Sequence, residues 1–344
     1  MVEMGRDERW VAIWLTICAA TIFGMILLGG VTRLTDSGLS MVEWQPLLGV
    51  IPPLNDADWL LAFDSYKNYP EYQKINLGMD LEGFKAIYWY EYLHRVLGRL
   101  IGVLFFVPLL YLTLRRRIPQ GYAGHLFLLL VLGGCQGVLG WFMVQSGLVD
   151  RPDVSQYRLT AHLGLAVAIY AYIVILILRL CAPYRTSSQA GGAMGPWLAP
   201  ALVYAMILSG GFVAGTDAGL SYPTWPLMGD RFFPQGLYQA GVQSAFEDVT
   251  TIHFNHRMLA YFTITVLLVV ALRSVSKTPD RRVRVAGTVM GLAAILQVSL
   301  GVATVLSHVQ IPIAAMHQGG AIILLSAALF WAFTQRTQSI RSAI

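Results

Sequence analysis

Met25 to Ser40 reads MILLGGVTRLTDSGLS, and Met206 to Ser221 reads MILSGGFVAGTDAGLS, an offset of 181 residues with Trp44 and Trp225 following in step. An apolar run that ends twice in TDxGLSxxxW is the mark of a duplicated chain, and such self-similarity fixes architecture ahead of any local signal. Further matches keep the order. His94-Arg95 corresponds to His256-Arg257, Gln136-Gly-Val-Leu-Gly140 to Gln297-Val-Ser-Leu-Gly301, and Ala161-His162 to Met316-His317. The offsets shrink to 162, 161 and 155, mainly because the first polar loop is about 20 residues longer than the second.

The composition says what is duplicated. Of 344 residues, 56% are hydrophobic and 12% charged, and the mean hydropathy is +0.58. Soluble domains carry about 25% charged residues, so a water-soluble enzyme and a disordered chain are both excluded. Crossing hydrocarbon takes about 20 apolar helical residues. Eight segments qualify: 10–31, 87–114, 122–146, 158–182, 197–215, 251–273, 285–306 and 313–333. Each must be helical, because lipid offers no partner for open backbone groups. The expected fold is an all-α integral membrane protein whose eight spans form two four-helix bundles, residues 1–186 and 187–344. Four spans mapping onto four of the same polarity predict a pseudo-twofold axis along the membrane normal.

The net charge of +5 is a matter of topology, with no nucleic-acid partner implied. Arg6 and Arg9, Arg115 to Arg117, Arg179 and Arg185, the 273–284 stretch, and Arg336 and Arg341 supply fourteen of the 24 basic residues on one side, against four of the nineteen acidic ones. That side is cytoplasmic by the positive-inside rule. Both termini therefore lie in the cytoplasm and the long acidic, aromatic loops lie outside. The first apolar run is long enough to stay in the membrane and carries no small-residue cleavage site, and no Arg/Ser-rich transit peptide precedes it. The expected location is a bacterial inner membrane, with a mature mitochondrial form as the alternative. Cys18, Cys135 and Cys181 lie in or at the ends of apolar runs without CxxC, zinc spacing or CxxCH, which removes a disulfide framework and covalent haem attachment.

Spans 2, 4, 6 and 8 run from outside to inside, and each carries a histidine near its outer end: His94, His162, His256 and His317. At about 1.5 Å of rise per residue the four imidazoles share one level, in equivalent places of the two halves. Ionisable side chains within spans are costly to insert and face the bundle interior. Imidazole is a common axial ligand of haem iron, and helix bundles build such sites from facing side chains. Two bis-histidine sites follow, His94 with His162 and His256 with His317. Gly29, Gly30, Gly98, Gly210 and Gly211 either make room for a flat macrocycle or allow close helix packing. His125, at the cytoplasmic mouth of span 3, and His308, in the short outer turn before span 8, have no counterparts and read as interfacial.

The informative break in the symmetry is at Glu91. Glu91 lies three residues before His94 on the same helix face, and its equivalent is His253. Glu91 is thus placed over the edge of whatever His94 holds, although a carboxylate capping a helix N-terminus is the simpler role. A carboxylate in one half alone suggests that this half does chemistry while the other carries electrons. Arg95 and Arg257 follow the ligand candidates, either to pair with haem propionates or to snorkel to headgroups. The loops holding Asp36 and Asp217 act either as lids over the haem mouths or as tight turns.

Eight spans, the four-plus-four duplication, Glu91-x-x-His94-Arg95, single histidines opening spans 4, 6 and 8, and the loops GGVTRLTDSGLSMVEWQP (29–46) and GTDAGLSYPTWPLM (215–228) together resemble the haem A synthase family over essentially the whole chain. The wording of the loops resembles the branch shared by alphaproteobacteria and mitochondria. The resemblance implies an oxidoreductase that converts the C8 methyl of haem O to the formyl of haem A by two successive hydroxylations, for cytochrome oxidase assembly. It assigns the substrate haem to His94 and His162, the essential carboxylate to Glu91, and a haem b cofactor to His256 and His317. It implies a haem O synthase (farnesyltransferase) and cytochrome oxidase assembly factors as partners within the lipid bilayer, with homo-oligomerisation left open. Many bacterial members carry a cysteine pair in the first outer loop, whereas residues 32–86 contain no cysteine, so a redox step assigned to that pair has no counterpart here. Two other readings use the same features: a di-haem electron-transfer cytochrome b, and a duplicated transporter.

Overall fold

The computed structural model describes residues 4–42, 50–149, 152–181 and 195–341, with side chains described as far as residue 335. Trp44, Arg185 and the expected boundary at 186/187 lie outside the described residues, as do the side chains of Arg336 and Arg341. Among the described residues, eight helices are long and apolar enough to cross a membrane. We number them α1 (Arg6–Leu34), α2 (Leu81–Leu114), α3 (Ala123–Gln145), α4 (Gln156–Cys181), α5 (Leu198–Gly215), α6 (Val249–Lys277), α7 (Arg281–Leu306) and α8 (Ile311–Arg341). Among the described residues there is no strand, only an isolated bridge between Met228 and Arg231.

Each expected span falls on one of these helices. Five lie wholly inside, 122–146 overruns α3 by one residue at each end, 197–215 overruns α5 by one, and residue 182 of the span 158–182 lies outside the described residues. The ends run long where a polar cap prolongs the apolar run. Asp80 accepts the Gly83 N–H at 2.8 Å, which starts α2 six residues before its apolar segment. Asp248 accepts the Thr251 N–H at 2.7 Å at the head of α6, and Asp280 accepts the Arg282 N–H at 2.8 Å at the head of α7. Each carboxylate satisfies a donor that an uncapped helix leaves open.

The contacts between helices repeat with the sequence. In the first half α1 touches α2 and α4, α2 touches α3, and α3 touches α4; in the second half α5 touches α6 and α8, α6 touches α7, and α7 touches α8. Across the halves α4 meets α5 and α8 meets α1, and α4 also meets α8. The four helices α1, α4, α5 and α8 are therefore central. Their interior is a continuous apolar cluster that includes Leu15, Ile173, Leu176, Leu325 and Ala328. By contrast, α3 buries only Leu126 and Leu129. With hydrocarbon outside, an exposed apolar flank costs nothing, so burial does not follow hydropathy here.

The first polar loop holds structure that hydropathy does not reveal. Helices Asp56–Tyr66 and Pro70–Lys74 set Trp59, Phe63 and Tyr66 against Phe84 and Tyr88 of α2 in a second, separate apolar cluster. Phe63 stacks on Phe84 at 5.1 Å between ring centres, and Trp59 meets Tyr88 edge-on at 5.0 Å. This aromatic cap stands over the first half. In the loop between α5 and α6 the described helical pieces are only short ones, such as Ala218–Leu220 and Ser244–Glu247.

Candidate functional site

Each of the four histidines rests its ring on a glycine of a neighbouring helix. A Cβ at Gly29 of α1 would stand 2.8 Å from His94 Cε1, and one at Gly210 of α5 would stand 3.5 Å from His256 Cε1. A Cβ at Gly140 of α3 would stand 2.9 Å from His162 Cε1, and one at Gly301 of α7 would stand 2.9 Å from His317 Cε1. Gly29 and Gly210 are 181 residues apart, and Gly140 and Gly301 are 161 apart, which are the offsets of the repeat. The duplicated glycines are thus seats for imidazole rings. Gly30 and Gly211 serve close packing instead, holding Gln318 and Thr160 respectively.

The four rings fall into two pairs of neighbours. His94 lies close enough to His162 for their charges to interact directly, and His256 stands in the same relation to His317. A glutamine one turn before the seat glycine steadies the second ring of each pair. Gln136 Nε2 donates to the His162 carbonyl at 3.0 Å, and Gln297 Nε2 donates to the His317 carbonyl at 2.8 Å. Gln297 Nε2 also lies 3.1 Å from His317 Nδ1. A ring nitrogen engaged by a neighbour is how a metal-binding histidine is oriented so that its other nitrogen faces the metal. His94 Nδ1 and His162 Nδ1 are buried without a hydrogen-bond partner, a state that protein interiors rarely leave uncompensated. Two neighbouring imidazoles, each seated on a glycine and partly unsatisfied, are a donor set that fits bis-histidine haem ligation.

Glu91 is buried, with 3% of its surface exposed. It sits three turns into α2, and Asp80 caps that helix, so the capping role does not hold. The first TDxGLS loop folds onto it. Ser40 Oγ and the Met41 N–H both donate to Glu91 Oε2 at 2.7 Å, and Arg95 Nη2 donates to Oε1 at 2.5 Å. Arg95 also donates to the Met41 carbonyl at 2.7 Å. A carboxylate has about four lone-pair sites, so three donors hold this one in place and leave room for one more proton.

The second half repeats this clamp without the acid. Arg257 Nε donates to His253 Nε2 at 3.1 Å, and its Nη atoms donate to the carbonyls of Tyr222 and Thr224 at 2.8 Å and of Leu227 at 3.2 Å. Tyr222 is the repeat equivalent of Met41. Arg257 is 7% exposed, and neither arginine snorkels: each guanidinium is turned inward and occupied by the loop that covers its half. With its Nε2 taken by Arg257, His253 is not placed as a free base.

The two loops are also tied to each other. Arg33 donates to Asp36 and to Asp217 at 2.7 Å each. These aspartates are equivalent in the repeat, and both adopt left-handed backbone, φ 47° and 52°, which Asp tolerates better than most residues. His125 is engaged by Tyr172 at 2.6 Å, and His308 lies exposed in the turn before α8. Neither joins the four rings. The roles of Ser40, Arg33, Gln136 and Gln297 were not evident from residue type. The signal was present in the repeat, since both glutamines and Ser40 fall within its matched segments.

Residues 12–329 match the family described as cytochrome oxidase assembly protein, COX15-CtaA. The chain is 46% identical over 329 residues to the heme A synthase of Nitrosospira multiformis, covering 94% of this chain and 92% of that protein. It is 48% identical over 331 residues to the heme A synthase of Paramagnetospirillum magneticum, with coverages of 94% and 93%. It is 46% identical over 327 residues to the heme A synthase of Rhodospirillum centenum, with coverages of 93% and 87%.

Proposed function

The chain belongs to the cytochrome oxidase assembly family that includes these haem A synthases, and from that premise we propose how its residues divide the work. It is a multi-pass membrane oxidoreductase that converts haem O to haem A. The substrate haem lies between His94 and His162, with Glu91 at its edge. His256 and His317 would hold a haem b, which would supply one-electron redox chemistry when bound. The observation that supports this division is the single break in an otherwise repeated constellation: four ring-on-glycine seats at equivalent positions, and Glu91 where the second half has His253.

Each hydroxylation of the methyl group breaks a C–H bond, forms a C–O bond to water, and releases two protons, one from the water and one from the C–H bond, and two electrons, which an oxidant outside this chain must take up. Positive charge builds on the carbon and the conjugated ring as the electrons leave. A fixed carboxylate in a site shielded from bulk water stabilises that charge and can take a proton from the attacking water. Arg95, Ser40 and Met41 hold Glu91 so that little reorganisation is needed at that moment. A second hydroxylation at the same carbon gives a gem-diol, which loses water to leave the formyl. His253, committed to Arg257, equips the other half to hold a haem without oxidising it.

The location follows the charge asymmetry, with both termini cytoplasmic and both haem sites near the outer face of a bacterial inner membrane. Haem O arrives from a haem O synthase, and haem A passes to cytochrome oxidase assembly factors. Pigments extracted from cells that express the protein, with and without a haem O source, test the reaction. Haem A or its hydroxylated precursor appears only when haem O is supplied. A single unchanged haem type in both cultures indicates an electron-transfer cytochrome instead.

A further inference from the structure

In the second half, α6 and α7 close on each other through small residues. A Cβ at Gly287 would stand 2.6 Å from the Ser274 Cβ, and one at Gly291 would stand 3.0 Å from the Ala271 Cβ. Counted through the repeat offsets of 161 and 162, the matching positions of the first half are all leucines: Leu126 and Leu130 on α3, Leu112 and Leu109 on α2. The distance between two helices follows the side chains at their crossing, so four leucines wedge apart what two glycines, an alanine and a serine bring together. Accordingly α2 and α3 touch far less than α6 and α7 do.

Beyond the leucine wedge the space stays open. On α3, Gly133 and Gly137 follow Leu126 and Leu130 at seven-residue spacing and share their face, and Gly140, the seat of His162, comes one turn later. On α2, Gly102 lies seven residues before Leu109 and eight after His94, on that same side. A Cβ at Gly102, Gly133 or Gly137 would meet nothing within 4 Å, and all three glycines are exposed. An apolar slot thus runs between α2 and α3, starting beneath the paired rings of His94 and His162. The second half fills the equivalent positions with Ile264, Ala294 and Val298, and Ala294 is buried, with 1% of its surface exposed. Glycine inside a helix costs about 1 kcal/mol against alanine, and here no neighbouring helix packs onto the three that would repay it.

We propose that this slot takes the farnesyl tail of the substrate haem. The proposal rests on the haem A synthase reading and adds to it the residues that admit the substrate. Haem O carries that tail on a hydroxyethyl group where haem b has a vinyl, so the tail is what a site must accept or refuse to tell the two apart. A tail that already lies in lipid gains little by entering an apolar slot, because lipid is as apolar as leucine. The slot therefore acts by leaving the tail unobstructed. The filled positions of the second half act by clash, turning haem O away from His256 and His317 while haem b fits.

The test fills the slot with the second half's own residues, Gly102→Ile, Gly133→Ala and Gly137→Val together, in the full-length chain. Each change raises helix propensity at an exposed position, so the fold is not at stake. Soret titration of purified protein, its second site already loaded with haem b, reads the binding of haem O and of haem b at His94 and His162. The triple variant is expected to bind haem O about tenfold or more weakly than the wild type, and to bind haem b as the wild type does. Cys135→Leu also installs the second half's residue, at an exposed position on the opposite face of α3, and is expected to leave both affinities unchanged. Undiminished haem O binding by the triple variant overturns the proposal. So does an equal loss of haem b, which would assign the effect to the ring seats, or an equal loss in Cys135→Leu, which would assign it to added bulk anywhere on α3. A wild-type first site that binds neither haem fails earlier, at the assignment of His94 and His162.

Discussion

Glu91 and the seat glycines carry the two separable claims at the level of single residues. Glu91→Gln keeps the shape and the Ser40 and Met41 donors but removes the charge. It is predicted to leave haem content unchanged and to lower haem A formation by about 10²-fold or more, read by pigment chromatography against Soret absorbance. Near wild-type turnover would remove the carboxylate from the chemistry. The glycines make a graded prediction. A Cβ at Gly29, Gly140 or Gly301 falls within 3 Å of an imidazole carbon, whereas at Gly210 it stands 3.5 Å away. Glycine-to-alanine changes at the first three positions should displace the ring, at a cost of about 1–3 kcal/mol, and lower haem occupancy. Gly210→Ala should bind haem as the wild type does. Equal loss at all four positions would show that the rings are not seated this way. Sequence alone singled out the histidines and Glu91, because ionisable groups stand out in apolar spans. It left open what the glycines do, because one residue type serves a macrocycle, a ring and a helix crossing alike.

The helices were legible because lipid sets their length and forces their hydrogen bonding. The aromatic cap was not. Asp56–Tyr66 is an eleven-residue helix in a polar loop, held by side chains that come together only in three dimensions. The lids lie between these extremes. Their repeated wording marked them as special, yet the Arg33 clasp could not be read, because the repeat places Ala214 where the first half has Arg33. The clasp is exposed on its acidic side, with Asp36 and Asp217 side chains 72% and 59% accessible, and such pairs contribute about 0–1 kcal/mol. Arg33→Ala should therefore change unfolding stability by no more than about 1 kcal/mol. It should at the same time speed amide hydrogen exchange in both loops, around residues 36–41 and 217–222. Faster exchange in only one loop would show that the clasp does not couple the two.

At the level of the whole molecule, duplication accounts for the order of the contacts and divergence accounts for the division of labour we propose. The helix pairs of one half have their counterparts in the other, the ring seats recur at the repeat offsets, and an arginine clamps a loop in each half. Among what diverged are an acid in place of His253, a longer first loop, an aromatic cap and a second buried acid. This pattern is what the same scaffold requires if one bound haem is to be altered while the other is kept. The most direct test purifies two double variants, His94→Ala/His162→Ala and His256→Ala/His317→Ala, and identifies the haem each retains after growth with a haem O source. The first should keep one haem b per chain and bind neither haem O nor haem A. The second should lose that haem b. If both variants keep the same pigment, or both lose all of it, the two sites do not divide the work between a consumed haem and a retained one.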